Sequence, residues 1–142
     1  MAGAALITIE GIDGAGKTTL AAALREALRA RGIDAQLVRE PGGVPLSERL
    51  RTLLAEPGLH VTTRSEALLY AAARAQLVEE LLVPMLAEGT VVLMDRFSDS
   101  SLAYQGAGRG LGIEQVRKLT DFATDGLRPD RTLLLDLEPE LV

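Results

Sequence analysis

An α/β fold, with a parallel sheet between two layers of helices, is predicted by three features of the sequence. Short apolar runs alternate with longer amphipathic segments along the chain, which is the pattern of successive β-α units. A glycine-rich loop separates the first apolar run from the first amphipathic segment. Charged residues follow directly after later apolar runs. In a parallel sheet such positions meet at one edge, where ligands bind.

The first part of the chain divides into two strands and two helices. The apolar run Leu6–Glu10 ends at a glycine, as a buried strand does, and residues 18–31 have helical periodicity closed by Gly32. A second strand is predicted at residues 35–39, because the turn sequence at residues 40–43 (EPGG) ends it. The next helix is indicated by a stripe of leucines at positions Leu46, Leu50, Leu53 and Leu54.

A long helix is predicted from Thr63 towards Glu88. Thr63 and Glu66 have the spacing of a capping box, in which each side chain bonds to the other residue's backbone. Gly89 ends the helix. Pro84 is expected to kink the helix or to begin its last section, since proline removes a backbone donor.

Two more strands and one helix complete the predicted fold. Residues 90–94 (TVVLM) and 131–136 (RTLLLD) are apolar runs of strand length, and residues 113–124 have helical periodicity. Phe122 lies on the apolar face of that helix and is assigned to the core. Residues 138–140 resemble the first turn of another helix. We therefore expect one domain over the whole chain, incomplete at its C-terminus.

The composition excludes several classes of function. The chain has 142 residues, which suits one domain rather than two. Cysteine is absent, which excludes disulfides and thiolate metal sites and fits a cytoplasmic protein. The net charge of −5 argues against nucleic-acid binding through phosphates. No apolar stretch approaches the roughly 18 residues of a membrane span, so no membrane association is expected.

The glycine-rich loop carries the strongest functional signal. It fits the pattern G-x-x-x-x-G-K-[ST] at every position and lies between a predicted strand and a predicted helix. The residues of this loop are Gly11, Ile12, Asp13, Gly14, Ala15, Gly16, Lys17 and Thr18.

Backbone amides of such a loop point at phosphate oxygens, and the helix behind them presents its positive end. Lys17 would reach the β- and γ-phosphates, and the Thr18 hydroxyl would hold Mg²⁺. An ordinary strand–turn–helix connection is the alternative, but the complete pattern in this context favours phosphate binding. The predicted architecture is therefore a P-loop NTPase-type three-layer α/β/α fold.

Asp95 and Arg96 directly follow the TVVLM strand. A carboxylate at this position can hold magnesium, and a neighbouring guanidinium can bind a second phosphate with two hydrogen bonds. A polar pair that merely closes a strand is the alternative. Coupled to the glycine-rich loop, the pair indicates a crevice with opposite charges at two strand ends.

Tyr70 and Arg74 lie four residues apart on the long helix and therefore share a face. An aromatic ring can stack on a nucleobase, and a guanidinium can bind its edge or a phosphate. Periodicity alone favours the alternative, a core tyrosine beside a solvated arginine. A base-binding wall remains a hypothesis at this point.

Several motifs in order along the chain resemble the thymidylate kinase family, in its bacterial type. The glycine-rich loop alone would not single out this family, but REPGG, DRF and SSLAYQG at these spacings are more specific. The matching segments are residues 10–19 (EGIDGAGKTT), 39–44 (REPGGV), 50–54 (LRTLL), 66–74 (EALLYAAAR), 95–97 (DRF) and 100–112 (SSLAYQGAGRGLG).

The resemblance implies roles for individual residues. Asp13, Lys17 and Arg96 would carry the reaction, with Asp13 beside the transferring phosphoryl group. The monophosphate of dTMP would be bound by Arg51 and Arg96, with Arg39 nearby. The remaining substrate contacts are assigned to Tyr70 stacked on the base, to Arg74, Ser101 and Gln105 at its edge, and to Tyr104 against the sugar. Metal binding is assigned to Thr18 and Asp95.

The implied activity is Mg²⁺-dependent transfer of the γ-phosphoryl group from ATP to dTMP, in dTTP biosynthesis, by a homodimer. The loop has no basic side chain between Asp13 and Ala15, which resembles members whose catalytic arginines lie on a later lid. Kinases for UMP or CMP and a nucleotide-binding fragment without turnover stay open as alternatives. A GTPase-type module is disfavoured, because the chain has no asparagine for an N-K-x-D motif.

Overall fold

A computed structural model describes residues 3–142 as a four-stranded sheet flanked by helices. All strand pairs are parallel, and the strand order is β2-β3-β1-β4. The strands are β1 (Ala5–Gly11), β2 (Ala35–Arg39), β3 (Val91–Asp95) and β4 (Arg131–Leu135). The carboxyl ends of all four therefore open on the same edge of the sheet.

In the described part of the chain, six α-helices connect and follow the strands. They are α1 (Lys17–Arg29), α2 (Pro45–Leu54), α3 (Thr63–Leu77), α4 (Val83–Ala87), α5 (Ser98–Ser101) and α6 (Ile113–Thr124). A π-helical turn (Val78–Leu82) joins α3 to α4, and a second π-helical stretch, Leu102–Gly108, follows α5 and is called the π segment below. A 3₁₀ turn (Pro139–Leu141) comes last. Between residues 3 and 142, no helix combines the length and apolar character needed to cross a membrane.

The core occupies both faces of the sheet. On one face, β1, β2 and β3 pack against α3 and the π-helical turn through a cluster that includes Leu77, Met94 and Phe97. On the other face, α1 places Leu24 and Leu28 against Leu93 and its neighbours. The two clusters hold β3 and β1 in the middle of the molecule, so the loops after these strands start from rigid positions.

The predicted α/β class with a parallel sheet is confirmed, and most predicted elements agree with the structure to within one or two residues. Pro84 begins the last section of the long helix, at the first turn of α4. Proline has no backbone N–H to donate, and it lies just after the π-helical turn Val78–Leu82, where the regular α-helical hydrogen-bond pattern is already interrupted. The π-helical turn that precedes it, Val78–Leu82, was not predicted.

The prediction of a capping box at Thr63 and Glu66 is wrong. The cap residue is Thr62, and no side chain within residues 3–142 caps this helix end. The Glu66 carboxylate instead faces the π segment, where it accepts a hydrogen bond from Gln105. A tertiary contact has therefore replaced the local one.

The assignment of Phe122 to the core is wrong, because 87% of it is exposed. Helix α6 packs through Val116, Thr120, Ala123 and Thr124. Phe122 lies about 100° around the helix from the buried Ala123 and therefore points into solvent.

The leucine stripe of α2 forms a helix but not a buried face. Leu46 and Leu53 are largely exposed, and the fully buried residue is Ser47. The Ser47 hydroxyl donates to the backbone carbonyl of Ala73 over 2.6 Å, so α2 and α3 approach each other through small residues. Leu46 and Leu53 are left on the outer surface, whereas Leu50 and Leu54 are half-buried.

Candidate active site at the carboxyl edge of the sheet

The loops after β1, β2 and β3 enclose one large cavity of about 1220 Å³ together with α2, α3 and the π segment. Most residues predicted from the sequence line it: Asp13, Gly14, Gly16, Lys17, Thr18, Arg39, Arg51, Tyr70, Arg74, Asp95, Arg96, Ser101, Tyr104 and Gln105. Gly11, Ile12 and Ala15 belong to the same loop but are not part of the lining. The structure thus brings together residues that are far apart in the chain.

The glycine-rich loop ends in a residue that only glycine occupies without strain. Gly16 has φ 99°, in the left-handed region, immediately before α1 begins at Lys17. Lys17 is buried, and its amine donates to the backbone carbonyl of Ile12 over 2.9 Å, so the lysine lies within the curve of the loop. The loop is therefore curved around its lysine.

Thr18 and Asp95 bring two oxygen atoms together where the first helix meets the end of β3. The Thr18 hydroxyl donates to an Asp95 carboxylate oxygen over 3.1 Å. Residues 3–142 contain no group of three or more histidine, aspartate or glutamate side chains placed to hold a metal ion. A divalent cation at this pair would need oxygens from a bound ligand as well.

Arg96 lies at the centre of the cavity and has an unusual backbone. Its φ is 72°, in the left-handed region that non-glycine residues rarely adopt. Its guanidinium donates to Asp13 over 2.5 Å and to the Ser100 hydroxyl over 3.0 Å. The same guanidinium lies 5.2 Å from the ring centre of Tyr104, within cation–π range.

Glu10 is a buried carboxylate beneath this arginine. One of its oxygens accepts the backbone N–H of Phe97 over 2.8 Å, and the other accepts the Ser100 hydroxyl over 2.5 Å. Burial raises the pKa of Glu10, and these two hydrogen bonds oppose that rise because they favour the charged form.

Arg74 and Glu40 form a fully buried ion pair across the cavity floor. The Arg74 Nε donates to Glu40 over 2.6 Å, a second guanidinium nitrogen bonds to the same oxygen, and a third contact reaches Ser101 over 3.1 Å. Burial raises the pKa of Glu40, and the attraction of Arg74 opposes this. The second Glu40 carboxylate oxygen has no hydrogen-bond partner within residues 3–142.

Glu66 joins α3 to the π segment at the far end of the cavity. Its carboxylate accepts from the Gln105 side-chain amide over 3.3 Å and lies 3.4 Å from the Arg109 Nε. The ring of Tyr70 lies nearby, and burial, followed by the negative charge of Glu66, raises the pKa of the Tyr70 hydroxyl.

Two further arginines lie on the wall formed by β2 and α2. Arg51 donates to the backbone carbonyl of Pro41 over 3.0 Å and forms no ion pair with any described residue. Arg39 pairs with Glu48 over 3.2 Å. Glu48 also accepts the backbone N–H of Gly43 over 2.9 Å, and this hydrogen bond lowers the pKa of Glu48. Arg51 therefore has the guanidinium most available to an anion.

Four acidic or hydroxyl residues of the site were not predicted: Glu10, Glu40, Glu66 and Ser100. The sequence did indicate a role for Glu10, because a carboxylate within an apolar strand requires a hydrogen-bond partner when it is buried. It likewise indicated a role for Glu40 and Arg74, because a charged side chain on the inward face of a helix needs a counterion. Phe97, by contrast, lies in a segment expected to line the site but is fully buried beneath Arg74.

Comparison with known proteins gives a consistent result. The sequence model of the family described as Thymidylate kinase matches residues 9–142. The chain is 53% identical to a thymidylate kinase of Deinococcus radiodurans over 135 residues and 50% identical to one of Chromobacterium violaceum over 135 residues, covering 95% of this chain in both cases. It spans 66% and 64% of the lengths of those relatives.

A solved structure agrees with these relatives. The crystal structure of thymidylate kinase from Ehrlichia chaffeensis superposes with a TM-score of 0.87 at 38% identity. The match covers 94% of this chain and 75% of that one. The likeness therefore extends to nearly all of the present chain and leaves part of each relative unmatched.

Proposed function

The chain belongs to the thymidylate kinase family, and we propose that it transfers the γ-phosphoryl group of ATP to dTMP, forming dTDP for dTTP biosynthesis. The observation that carries this proposal is the large cavity with a phosphate-binding loop at one end and a wall of the size of a base at the other. Lys17 belongs to the loop, and Arg96 adjoins the loop through Asp13, so two phosphate groups would meet beside these two cations. We also propose that residues 1–142 act as one P-loop kinase domain.

At the loop end, we assign the triphosphate of ATP to the backbone amides of residues 11–18 and to Lys17. The amine of Lys17 would exchange its bond to the Ile12 carbonyl for one to a phosphate oxygen. This exchange needs no change of fold, because the loop is already curved around the lysine.

The donor set at Thr18 and Asp95 fits Mg²⁺. That ion prefers oxygen ligands and is commonly held by one or two protein groups together with substrate phosphates. Their 3.1 Å contact places a hydroxyl and a carboxylate at one point. When bound there, Mg²⁺ would neutralise charge on the phosphates of ATP.

At the other end, we assign the dTMP phosphate to Arg96 and Arg51, with Arg39 at the rim. Arg51 carries no carboxylate partner in the described part of the chain, so its charge is available. Arg96 is held by Asp13 in this structure, and phosphate would compete for the same nitrogen. Asp13, at the loop, would then adjoin both the transferring group and the acceptor.

We assign the base to the wall formed by Tyr70, Arg74, Ser101 and Gln105, and the sugar to Tyr104. Glu66 is important here because a carboxylate at neutral pH can only accept hydrogen bonds. It therefore requires the NH₂ of the Gln105 amide, so the amide carbonyl is left to accept from a ligand. A carbonyl acceptor can bind the N3–H of thymine or uracil, whereas the N3 of cytosine is itself an acceptor and cannot bond to it.

The chemistry this geometry supports is alignment with charge neutralisation. The dTMP phosphate is largely ionised near neutral pH, since the second pKa of a phosphate monoester is about 6. No strong general base is needed, and positioning is the main contribution of the chain. Lys17 and Arg96 would stabilise the charge that spreads over the transferring group.

We further propose the cytoplasmic homodimer that the sequence led us to expect. The supporting observation is the leucine-rich outer surface of α2 and α3, where Leu46, Leu53 and Leu68 are 46%, 38% and 52% exposed. A second copy could cover these side chains. Size-exclusion chromatography with light scattering tests this part of the proposal.

Calorimetric titration of the chain with dTMP, dUMP, UMP, CMP and AMP tests the substrate assignment. Preference for dTMP supports it, and preference for another monophosphate keeps the kinase class but overturns the substrate. A matched pair of variants sharpens the result. Arg51→Met should weaken dTMP binding by about tenfold, as expected for loss of a charge-assisted contact. Arg128→Met, at an exposed position before β4 and outside the cavity lining, should leave dTMP binding unchanged. Absence of binding to a folded chain refutes the proposal.

A further inference from the structure

Two polar side chains connect the interior of the sheet to the arginine at the centre of the cavity. The Glu10 carboxylate accepts the Ser100 hydroxyl proton over 2.5 Å. The Ser100 oxygen in turn accepts a hydrogen bond from Arg96 over 3.0 Å. These contacts join residues 90 and 4 positions apart in the chain, so they are a product of the fold.

The direction of these hydrogen bonds is fixed by Glu10. An ionised carboxylate has no proton to donate, so the single hydroxyl proton of Ser100 must point towards it. The lone pairs of the Ser100 oxygen are then available as acceptors on the side of the guanidinium. An arginine can only donate. The buried Glu10 carboxylate therefore orients Ser100 so that its oxygen accepts a hydrogen bond from Arg96.

The second oxygen of Glu10 holds the backbone beside the same arginine. It accepts the N–H of Phe97 over 2.8 Å, and the N–H of Arg96 itself donates to the carbonyl of Ile9 over 3.0 Å. Arg96 has a left-handed backbone conformation that costs an ordinary residue about 1 kcal/mol or more. Hydrogen bonds on both sides of Arg96 keep that conformation in place.

Burial makes these contacts stronger than their surface equivalents. Glu10 is only 5% exposed, and the Arg96 side chain is 17% exposed. Hydrogen bonds to an ionised group in such surroundings are roughly twice as strong as neutral ones. Asp99 and Arg96 are the charged groups that act on Glu10, and their effects on its ionisation oppose each other.

We infer that Glu10 is a positioning residue, which acts through Ser100 and the Phe97 backbone to hold the Arg96 guanidinium in the place where it meets a substrate phosphate. Glu10 does not itself reach the cavity lining. The inference rests on the proposed function for the identity of that phosphate. The connection from Glu10 to Arg96 is testable without any nucleotide.

The test compares dTMP with thymidine, which lacks the phosphate, on the unchanged chain and on Glu10→Gln, Ser100→Ala and Ser98→Ala. Ser100→Ala and Glu10→Gln should each weaken dTMP binding by about tenfold and leave thymidine binding within about twofold. Ser98→Ala, the same substitution in the same short helix, should change neither. The double variant should lose little more than the larger single loss, since both changes break one chain of contacts.

A second measurement uses the free protein. The ¹⁵N signals of the Arg96 guanidinium, identified with Arg96→Lys, should show hindered rotation in the unchanged chain and in Ser98→Ala, but faster rotation in Ser100→Ala and Glu10→Gln. Unchanged rotation in both of the latter variants overturns the inference. Equal weakening of dTMP and thymidine also overturns it, because that would indicate general damage to the fold.

The two measurements separate the two proposals. If the unchanged chain binds no dTMP, the proposed function fails, and the rotation of Arg96 still decides whether Glu10 positions it. If the unchanged chain binds dTMP and the variants bind it equally well, the proposed function stands and the positioning role of Glu10 is refuted. Ser100→Ala keeps the buried acid and its Phe97 contact, so it provides a result even if Glu10→Gln folds poorly.

Discussion

The two ends of the cavity are built in different ways. At the loop end, the contacts are local and largely made by the backbone: the bond from Lys17 to the Ile12 carbonyl spans 5 positions in the chain. At the base end, side chains from distant segments hold one another, as in the Arg74–Glu40 pair, which spans 34 positions, and the Gln105–Glu66 pair, which spans 39. The loop end is therefore held by a local sequence motif, and the base end by a network of side chains from distant segments.

This difference explains how each end should respond to substitution. A local loop can lose one side chain and keep its shape, because its curvature comes from glycines and from the start of α1. A network of buried charges loses shape and function together, since each member is the counterion or the orienting partner of another. Four substitutions test this contrast, from the largest expected effect to the smallest.

Lys17→Ala should affect chemistry and spare substrate binding at the other end. We expect ATP-dependent conversion of dTMP to fall by about 10³-fold, the scale for removal of a charge aimed at a transition state. The calorimetric Kd for dTMP should change by less than about twofold. Lys118→Ala, which removes the only other lysine from an exposed position on α6, is the control. Equal turnover in Lys17→Ala would refute the loop assignment.

Arg74→Met should affect stability as well as binding. It leaves the buried Glu40 carboxylate without its cation, and loss of one partner of a buried pair costs about 3 kcal/mol or more of unfolding free energy. Urea denaturation measures this. The matched control is Arg128→Met, which breaks the exposed pair with Asp121 and should cost less than about 1 kcal/mol. Similar losses in the two variants would mean that the network is not a structural unit.

Glu66→Gln should alter base selection without affecting phosphate binding. A glutamine at this position can accept or donate a hydrogen bond, so the Gln105 amide could rotate by about 180°. It could then present its carbonyl to the N3–H of uracil or its NH₂ to the N3 of cytosine. We expect the ratio of the dCMP and dUMP dissociation constants to fall by about tenfold. These two ligands differ only at the edge that Gln105 would contact. Glu114→Gln, at an exposed pair on α6, should leave the ratio unchanged.

Glu48→Gln should have the smallest effect, because this carboxylate lies at the exposed rim of the network. The hydrogen bond from the Gly43 backbone lowers the Glu48 pKa below its ordinary value of 4.5. Its stabilising contribution is therefore present above that value and is lost as the pH falls through the lower, folded-state pKa. The variant should be less stable by about 0.5 kcal/mol near neutral pH. Urea denaturation at acidic pH should show no difference, and a gap that persists there would contradict the assigned cause.

The same contrast separates what sequence could predict from what it could not. The strands and the loop were predictable because apolar runs and the spacing of glycines, Lys17 and Thr18 are local patterns. The network was only half predictable. Arg74 and Arg96 stood out as cations at expected places, but the Glu40 partner of Arg74 and the connection of Arg96 to Glu10 through Ser100 depend on how the strands and helices pack. No local pattern contains that information.

Two errors have the same origin. Glu66 has the spacing of a helix cap, and the local pattern would have been satisfied if Gln105 and Arg109 did not face it in the folded chain. Phe122 fits an apolar stripe, but α6 turns a face of smaller residues towards its neighbours. In both cases tertiary contacts determined the outcome, namely the partner of Glu66 and the buried face of α6, and the sequence alone does not contain those contacts.

The left-handed backbone of Arg96 has a consequence for how this protein would respond to artificial selection. Glycine is the residue best suited to that conformation, so a library screened only for thermal resistance should enrich glycine at position 96. Those survivors would lack the guanidinium at the centre of the cavity. At this position robustness and activity select different amino acids, and an engineer who wants both must leave the strained residue in place and seek stability elsewhere in the molecule.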